Sequence, residues 1–184
     1  AKLWLDQATN GPDFTALYRY VVQELEGKGP EEVAKRQEAV RRLATLCRCD
    51  IFQDTPIEKG YDGPYDVIYT ASCLDVACSN IEGYATAVSK LSAMLKPGGW
   101  LLMYVSMGEA GTTNVWHVGR TRFMELNISV DEMYAILQQR CGFERESITV
   151  IPQAADKVDA IPMLLEAHID EMMFVIAQRK QSTV

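Results

Sequence analysis

Few residues in this 184-residue chain are of a type and position that could do chemistry. Asp50 falls in a stretch, residues 45–52, that reads as a strand entering a polar loop. Ligands approach an open α/β sheet at the carboxyl ends of its strands, so an acid there could touch one. On position alone the same residue reads first as a turn former that bonds its own backbone. Five cysteines are present: Cys47, Cys49, Cys73, Cys78 and Cys141. Cys47-Arg48-Cys49 is too tight for a zinc knuckle, and only His117 and His168 could complete such a site. An odd count favours free thiols in a reducing compartment, acting as small buried hydrophobes, with the cytosol as default. No Ser/His/Asp or Cys/His nucleophile pattern is present.

The elements that would position such groups centre on residues 65–100. Asp66 to Ala71 is a short run rich in β-branched and aromatic residues, opened by Gly63-Pro64. Ser79 and Glu82 have capping-box spacing, and Ile81, Tyr84, Val88, Leu91 and Leu95 then mark one apolar helix face. Lys96-Pro97-Gly98-Gly99 reads as the helix stop. Trp100 to Val105 is continuously apolar, as a strand buried on both faces would be. Strand, crossover helix and parallel strand make a right-handed βαβ unit, in which Asp75 would organise the turn and cap the helix.

Composition bounds the reading. Apolar residues are 48% and charged residues 23%, as in an ordinary globular domain, and 184 residues suffice for a single domain over 1–184. No apolar run approaches membrane-spanning length and no secretion signal opens the chain. A net charge of −7 argues against nucleic acid as a partner. Lys35, Arg36, Arg41 and Arg42 alternate with glutamates as on a solvated helix face.

The phrase Ser72-Cys73-Leu74-Asp75-Val76-Ala77-Cys78, a spaced amphipathic helix, and then Leu95-Lys96-Pro97-Gly98-Gly99 resembles the nicotinamide, phenylethanolamine and indolethylamine N-methyltransferases. The resemblance implies an α/β fold: a Rossmann-like methyltransferase sheet with an antiparallel last strand and an added hairpin. The chain would correspond to the carboxyl-terminal portion, lacking the first two strands of the family sheet. It implies S-adenosyl-L-methionine as methyl donor, with Cys49-Asp50-Ile51 beside its adenine and Ala71, Ser72 and Ala77 lining the donor site. A small amine or heteroaromatic nitrogen would be the acceptor. The hairpin about Gly119-Arg120 would form one acceptor wall, with Trp116 at the stacking position. Tyr104 and Val105 replace the acid some members carry at the end of the fifth strand, and Asp170, Glu109 and Glu171 are the acids near the expected pocket. Such a transfer needs proximity and orientation more than acid or base, because the nucleophile already holds a lone pair.

The remaining chain supports this layout. Helices are expected over 14–26, 31–43 and 129–140, the last capped by Ser129 with Glu132 at the box position. A loop over 106–114, a strand over 146–151, a short helix over 160–168, a last strand over 172–177 and a solvated tail from Arg179 complete it. The family's Gly-rich turn and ribose-binding acid have no counterpart here. The strand at 45–52 is then orphaned, and the strand at 66–71 presents an open edge. The chain is accordingly a fragment of an enzyme, a short form pairing edges as a homodimer, or one half of a sheet completed by another polypeptide. The non-enzymatic alternative is a methyltransferase-like binding or interaction module. A dinucleotide-dependent dehydrogenase lacks its fingerprint glycines.

Overall fold

The computed structural model describes residues 2–6, 11–61, 63–154 and 171–181. They group into two compact units, residues 1–48 and 49–184. The first unit holds α1 (Lys2–Leu5), α2 (Thr15–Arg19), which widens into a π-helical turn over Tyr20–Leu25, and α3 (Glu31–Leu43). The Asp13 carboxylate accepts from the Thr15 N–H at 2.8 Å, fixing the start of α2. Val22 and Val33 are buried, and the buried Gln37 donates to Thr15 Oγ1. Lys35 pairs with Glu32 and Arg36 with Glu26, so these cations lie on a solvated, internally neutralised face.

The second unit is built on a four-stranded sheet of β1 (Tyr65–Ala71), β2 (Leu95–Met107), β5 (Ile148–Ala154) and β6 (Glu171–Gln178), in the order β1-β2-β6-β5. β1 and β2 are parallel, joined through α4 (Leu74–Ala77) and α5 (Ile81–Ala93). β6 runs antiparallel to both β2 and β5, which is the expected antiparallel last strand. The added hairpin is β3 (Thr113–Val118) with β4 (Thr121–Leu126), turning at Gly119 with φ +60°. α6 (Val130–Ala135) continues through a wider turn at Ile136–Arg140. Its start carries the full capping box: Ser129 Oγ accepts from the Glu132 N–H, and the Glu132 carboxylate accepts from the Ser129 N–H.

Tyr84, Val88 and Leu91 of α5 and Met133 and Leu137 of α6 cover one face of the sheet, packing on Leu101, Met103, Val105, Met173, Val175 and Ala177. Tyr84, Leu101, Met103, Met133, Leu137, Met173 and Val175 are fully buried.

Several local expectations need correction. Residues 45–52 form no strand; the stretch makes one isolated bridge, Cys49 to Ile57. Around Asp50 the backbone bonds locally instead: its N–H donates to the Pro56 carbonyl and its carbonyl accepts from the Gln53 N–H, while among the described residues no neighbouring strand offers a ladder. β2 is not buried on both faces: Leu101, Met103 and Val105 are, but Trp100 is 39% exposed on the other side. Val67 and Tyr69 of β1, the register partners of Trp100 and Leu102, are exposed beside it. The strand at 146–151 begins later, at Ile148, after a 3₁₀ turn at Arg145–Ser147. Cys78 is buried and Cys141 half-buried, but Cys47, Cys49 and Cys73 are exposed because they sit in irregular connections. Residues 160–168 lie outside the described residues.

The Lys96-to-Gly99 segment does not stop the helix. α5 ends at Ala93, and its last carbonyls are taken by the Arg179 guanidinium, which reaches Ser92, Ala93 and Leu95. Arg179 is therefore a cap rather than a solvated tail residue. The two glycines instead form an irregularity within β2: Gly98 sits at φ +78°, and a Cβ on Gly99 would lie 3.1 Å from the Tyr65 and Asp66 carbonyls.

The helix cap is also one residue later than its spacing suggests. Asn80, not Ser79, has the extended backbone of a cap and accepts from the Gly83 N–H at 2.8 Å, while Glu82 turns away to Arg140. Asn80→Ala is therefore expected to cost about 1 kcal/mol in urea unfolding, and Ser79→Ala less than about 0.5 kcal/mol.

Candidate functional site

The carboxyl ends of β1 and β2 meet at Ala71, whose register partner is Tyr104. The chain must turn sharply here to enter α4. Ser72 does so at φ +40°, in the left-handed region that non-glycine residues avoid, and its N–H donates to the Tyr104 carbonyl at 2.8 Å. Ala71, Ser72 and Ala77 are small and exposed, so this rim is open. Tyr104 is half-buried, and burial, then the neighbouring Tyr69, push its phenol up.

Behind the rim lies a buried polar cluster. Asp75, in α4, is 1% exposed, and its Oδ2 accepts from the Ser106 N–H at 3.0 Å, tying α4 to the end of β2. It does not cap α5. Ser106 Oγ donates to Asn127 Oδ1 at 3.2 Å, and Asn114 Nδ2 donates to the same oxygen at 2.9 Å. Asn127 Nδ2 donates to Thr112 Oγ1 and Asn114 Oδ1. Gly108 leaves room for this amide, since a Cβ there would meet Asn127 Cγ at 2.9 Å.

Glu125 of β4, only 2% exposed, brings a second carboxyl against Asp75. Among the described residues its Oε2 has no hydrogen-bond donor. Desolvation, then the charge of Asp75, push Glu125 up to about 7. Burial also raises Asp75, opposed by the Ser106 N–H. Among the described residues Asp75 has backbone donors and Glu125 has none, so the proton of the pair belongs on Glu125.

Between the α4 turn and the hairpin is a cavity of about 400 Å³, lined by Val76, Ala77, Cys78 and Ser79 on one side and Thr113, Arg122, Phe123, Met124 and Leu126 on the other. Its size lies within the range of small-molecule pockets.

Of the residues singled out in the sequence, Ala71, Ser72 and Tyr104 are brought together at the rim, and Ala77 reaches the cavity. Val105 is 3% exposed and packs in the core beneath. Trp116 lies in β3 opposite Phe123, a cavity-lining residue. Cys49, Asp50 and Ile51 lie elsewhere. Asp50 Oδ1 accepts from the Phe52 N–H, the self-bonding turn, and Lys90, in the last turn of α5, takes the carbonyls of Ile51, Phe52 and Gln53. That end of α5 meets the start of β1, since Tyr65 N–H bonds the Met94 carbonyl, so the loop is anchored away from the carboxyl ends. Glu109 and Glu171 are exposed, and Asp170 lies outside the described residues. Glu125 was not singled out. Alternation in β4 places it on the same face as Phe123, but no spacing in the sequence pairs it with Asp75, 50 positions earlier. Among the described residues no His/Cys/Asp/Glu cluster could hold a metal ion.

A parallel strand pair with a small-residue rim at its carboxyl end, an antiparallel last strand and a hairpin over the rim define the class: this is the fold of S-adenosylmethionine-dependent methyltransferases. Such an enzyme from Methanosarcina mazei superposes with a TM-score of 0.51 at 14% identity, over 71% of this chain and 66% of that one. The chain belongs to the NNMT/PNMT/TEMT family, whose model matches residues 2–180. It is 30% identical over 154 residues to nicotinamide N-methyltransferase of Sus scrofa, covering 82% of this chain and 55% of that enzyme. The human nicotinamide enzyme is 29% identical over the same shares, and phenylethanolamine N-methyltransferase of Macaca mulatta is 25% identical over 77% and 49%. The chain spans about half the length of the curated relatives it matches.

Asn127 satisfies three side chains at once. Asn127→Ala is expected to cost about 2 to 3 kcal/mol in urea unfolding, because Asn114 and Ser106 lose their shared acceptor while remaining inside.

Proposed function

We propose that the protein is an S-adenosylmethionine-dependent N-methyltransferase of small amines or heteroaromatic nitrogens, and that residues 1–184 supply its carboxyl-terminal portion. The observation that carries this reading is the cavity in which Ala77, beside the open rim, faces the hairpin. The donor, when bound, supplies an electrophilic sulfonium methyl. Ala71, Ser72 and Ala77 fit one side of it, being small, exposed and set at the strand ends. Cys49, Asp50 and Ile51 enter as its adenine side on resemblance, an assignment that requires their loop to leave Lys90. Tyr104, Val105, Trp116 and Asp170 enter as the acceptor side on the same ground. Glu125 is the acid the structure adds near that wall. The odd cysteine count and an acidic composition suit the cytosol and argue for neither nucleic acid nor membrane as partner. Among the described residues no helix is long and apolar enough to cross a membrane.

Calorimetric titration of the natural full-length protein with S-adenosylmethionine tests the reading, and absence of binding removes it. Because Ala77 is exposed, Ala77→Phe is expected to weaken donor binding about tenfold or more, roughly 1.4 kcal/mol, with the melting temperature unchanged.

A second reading, a non-catalytic interaction module, draws on β1. Among the described residues it is the end strand of its sheet, with Val67 51% and Tyr69 62% exposed beside its open edge. Under that reading two copies pair through β1. Light scattering then reports a dimer that Val67→Pro returns to monomer; a monomer at all concentrations dismisses the pairing.

A further inference from the structure

The hairpin has little of its own to hold it. A two-stranded ribbon is marginal in water, and among the described residues β3–β4 forms a sheet of its own, the chain just after it bridging to the main sheet from Ile128 to Met107. It is fastened by Leu126 and Ile128 in the core, by the Asn127 amide, and by Glu125 meeting Asp75 of α4. Glu125 lies between Met124 and Leu126, which line the cavity, and does not itself line it.

We propose that Glu125 is a positioning residue: by sharing one proton with Asp75 it holds the β3–β4 hairpin against the α4 turn and thereby sets the cavity between them. This goes beyond the methyltransferase reading and holds whatever occupies the cavity. Two buried carboxylates in contact repel and are desolvated, whereas one proton between them turns the contact into a charge-assisted hydrogen bond. Glu125 donates, and Asp75 remains the acceptor, steadied by the Ser106 N–H. Among the described residues no donor reaches Oε2 of Glu125, which suits a carboxyl that gives a proton rather than one that receives bonds.

The other groups around the pair do not compete for the proton. Cys78, beside α4, is pushed up by burial, then by Asp75 and Cys73, and stays a thiol. Tyr84 of α5 is pushed far up by burial, then by Asp75, and stays a phenol. From β2 the pair meets Ser106, and on β3 Asn114 stands opposite Glu125; both are neutral. Arg122, three residues earlier on β4, faces the cavity. The charge acting on Glu125 is that of Asp75.

The direction of the pH effect follows. Glu125 binds its proton more tightly with the hairpin closed, at about 7, than with it open, at the ordinary 4.5. Closure is therefore fully favoured below the open value and loses ground as pH rises through 7. The closed-to-open ratio falls by up to a few hundredfold, on the order set by those two values. The raised Asp75 acts in the same direction.

Hydrogen exchange of peptides from 113–126 in the full-length protein, between about pH 5 and 8.5 and corrected for intrinsic rates, tests this. In the wild type, hairpin protection should fall with pH on a one-proton curve. Glu125→Gln, whose amide still donates to Asp75, should keep protection high and flat. Asp75→Asn should move the midpoint down, because the repelling charge is gone. A flat wild-type profile overturns the proposal, as does a Glu125→Gln protein that titrates like the wild type. Should Glu125→Gln fail to fold, an unmoved midpoint in Asp75→Asn overturns it alone.

Discussion

Strand β2 must satisfy two neighbours of opposite direction at once, and most of the second unit follows from that. Its ladder to β1 is parallel and its ladder to β6 antiparallel, so the chain must cross over a helix on one side and return from a distant segment on the other. The crossover supplies α5, which covers one sheet face with Tyr84, Val88 and Leu91. The strand's continuous apolar character would be wasteful on a sheet covered once. Trp100, Val67 and Tyr69 lie exposed on the opposite face, apolar surface on the scale that doubly covered sheets bury.

Where β2 ends, the structure spends its strain and its buried charge. Ser72 takes a left-handed backbone to bring the chain round at the Tyr104 carbonyl. Asp75 is then carried inward to accept from the Ser106 N–H, with Glu125 arriving from the hairpin. A buried carboxylate is tolerated only with donors, and the pair has one set of backbone donors between two acids. The arrangement is coherent only with a proton held in common, which makes the wall of the cavity an electrostatic as well as an apolar construction.

The family was legible from short phrases because they encode geometry that tolerates little change. Gly98 and Gly99 fit a strand irregularity pressed against the Tyr65 and Asp66 carbonyls, and Leu74 and Asp75 place a buried anchor and a buried acceptor on one short helix. The hairpin was legible from alternation and from Gly119, and the α6 cap from Ser129 and Glu132. The misplaced cap at Asn80 shows the limit of spacing. Ser79 and Asn80 are both good caps, and the choice fell to Asn80 once Glu82 was drawn to Arg140, 58 positions away.

By itself the sequence determined the parallel crossover, the hairpin and the family, because periodicity and turn chemistry are local. Residues 45–52 show what it could not determine: a strand exists only if a neighbour supplies hydrogen bonds, and there Asp50 bonded its own turn instead. The same holds for the site. Asp75 and Glu125 lie 50 residues apart, and nothing local marks either as half of a pair. Only the tertiary structure set them against each other out of water, because desolvation and proton sharing are properties of a contact and not of a residue.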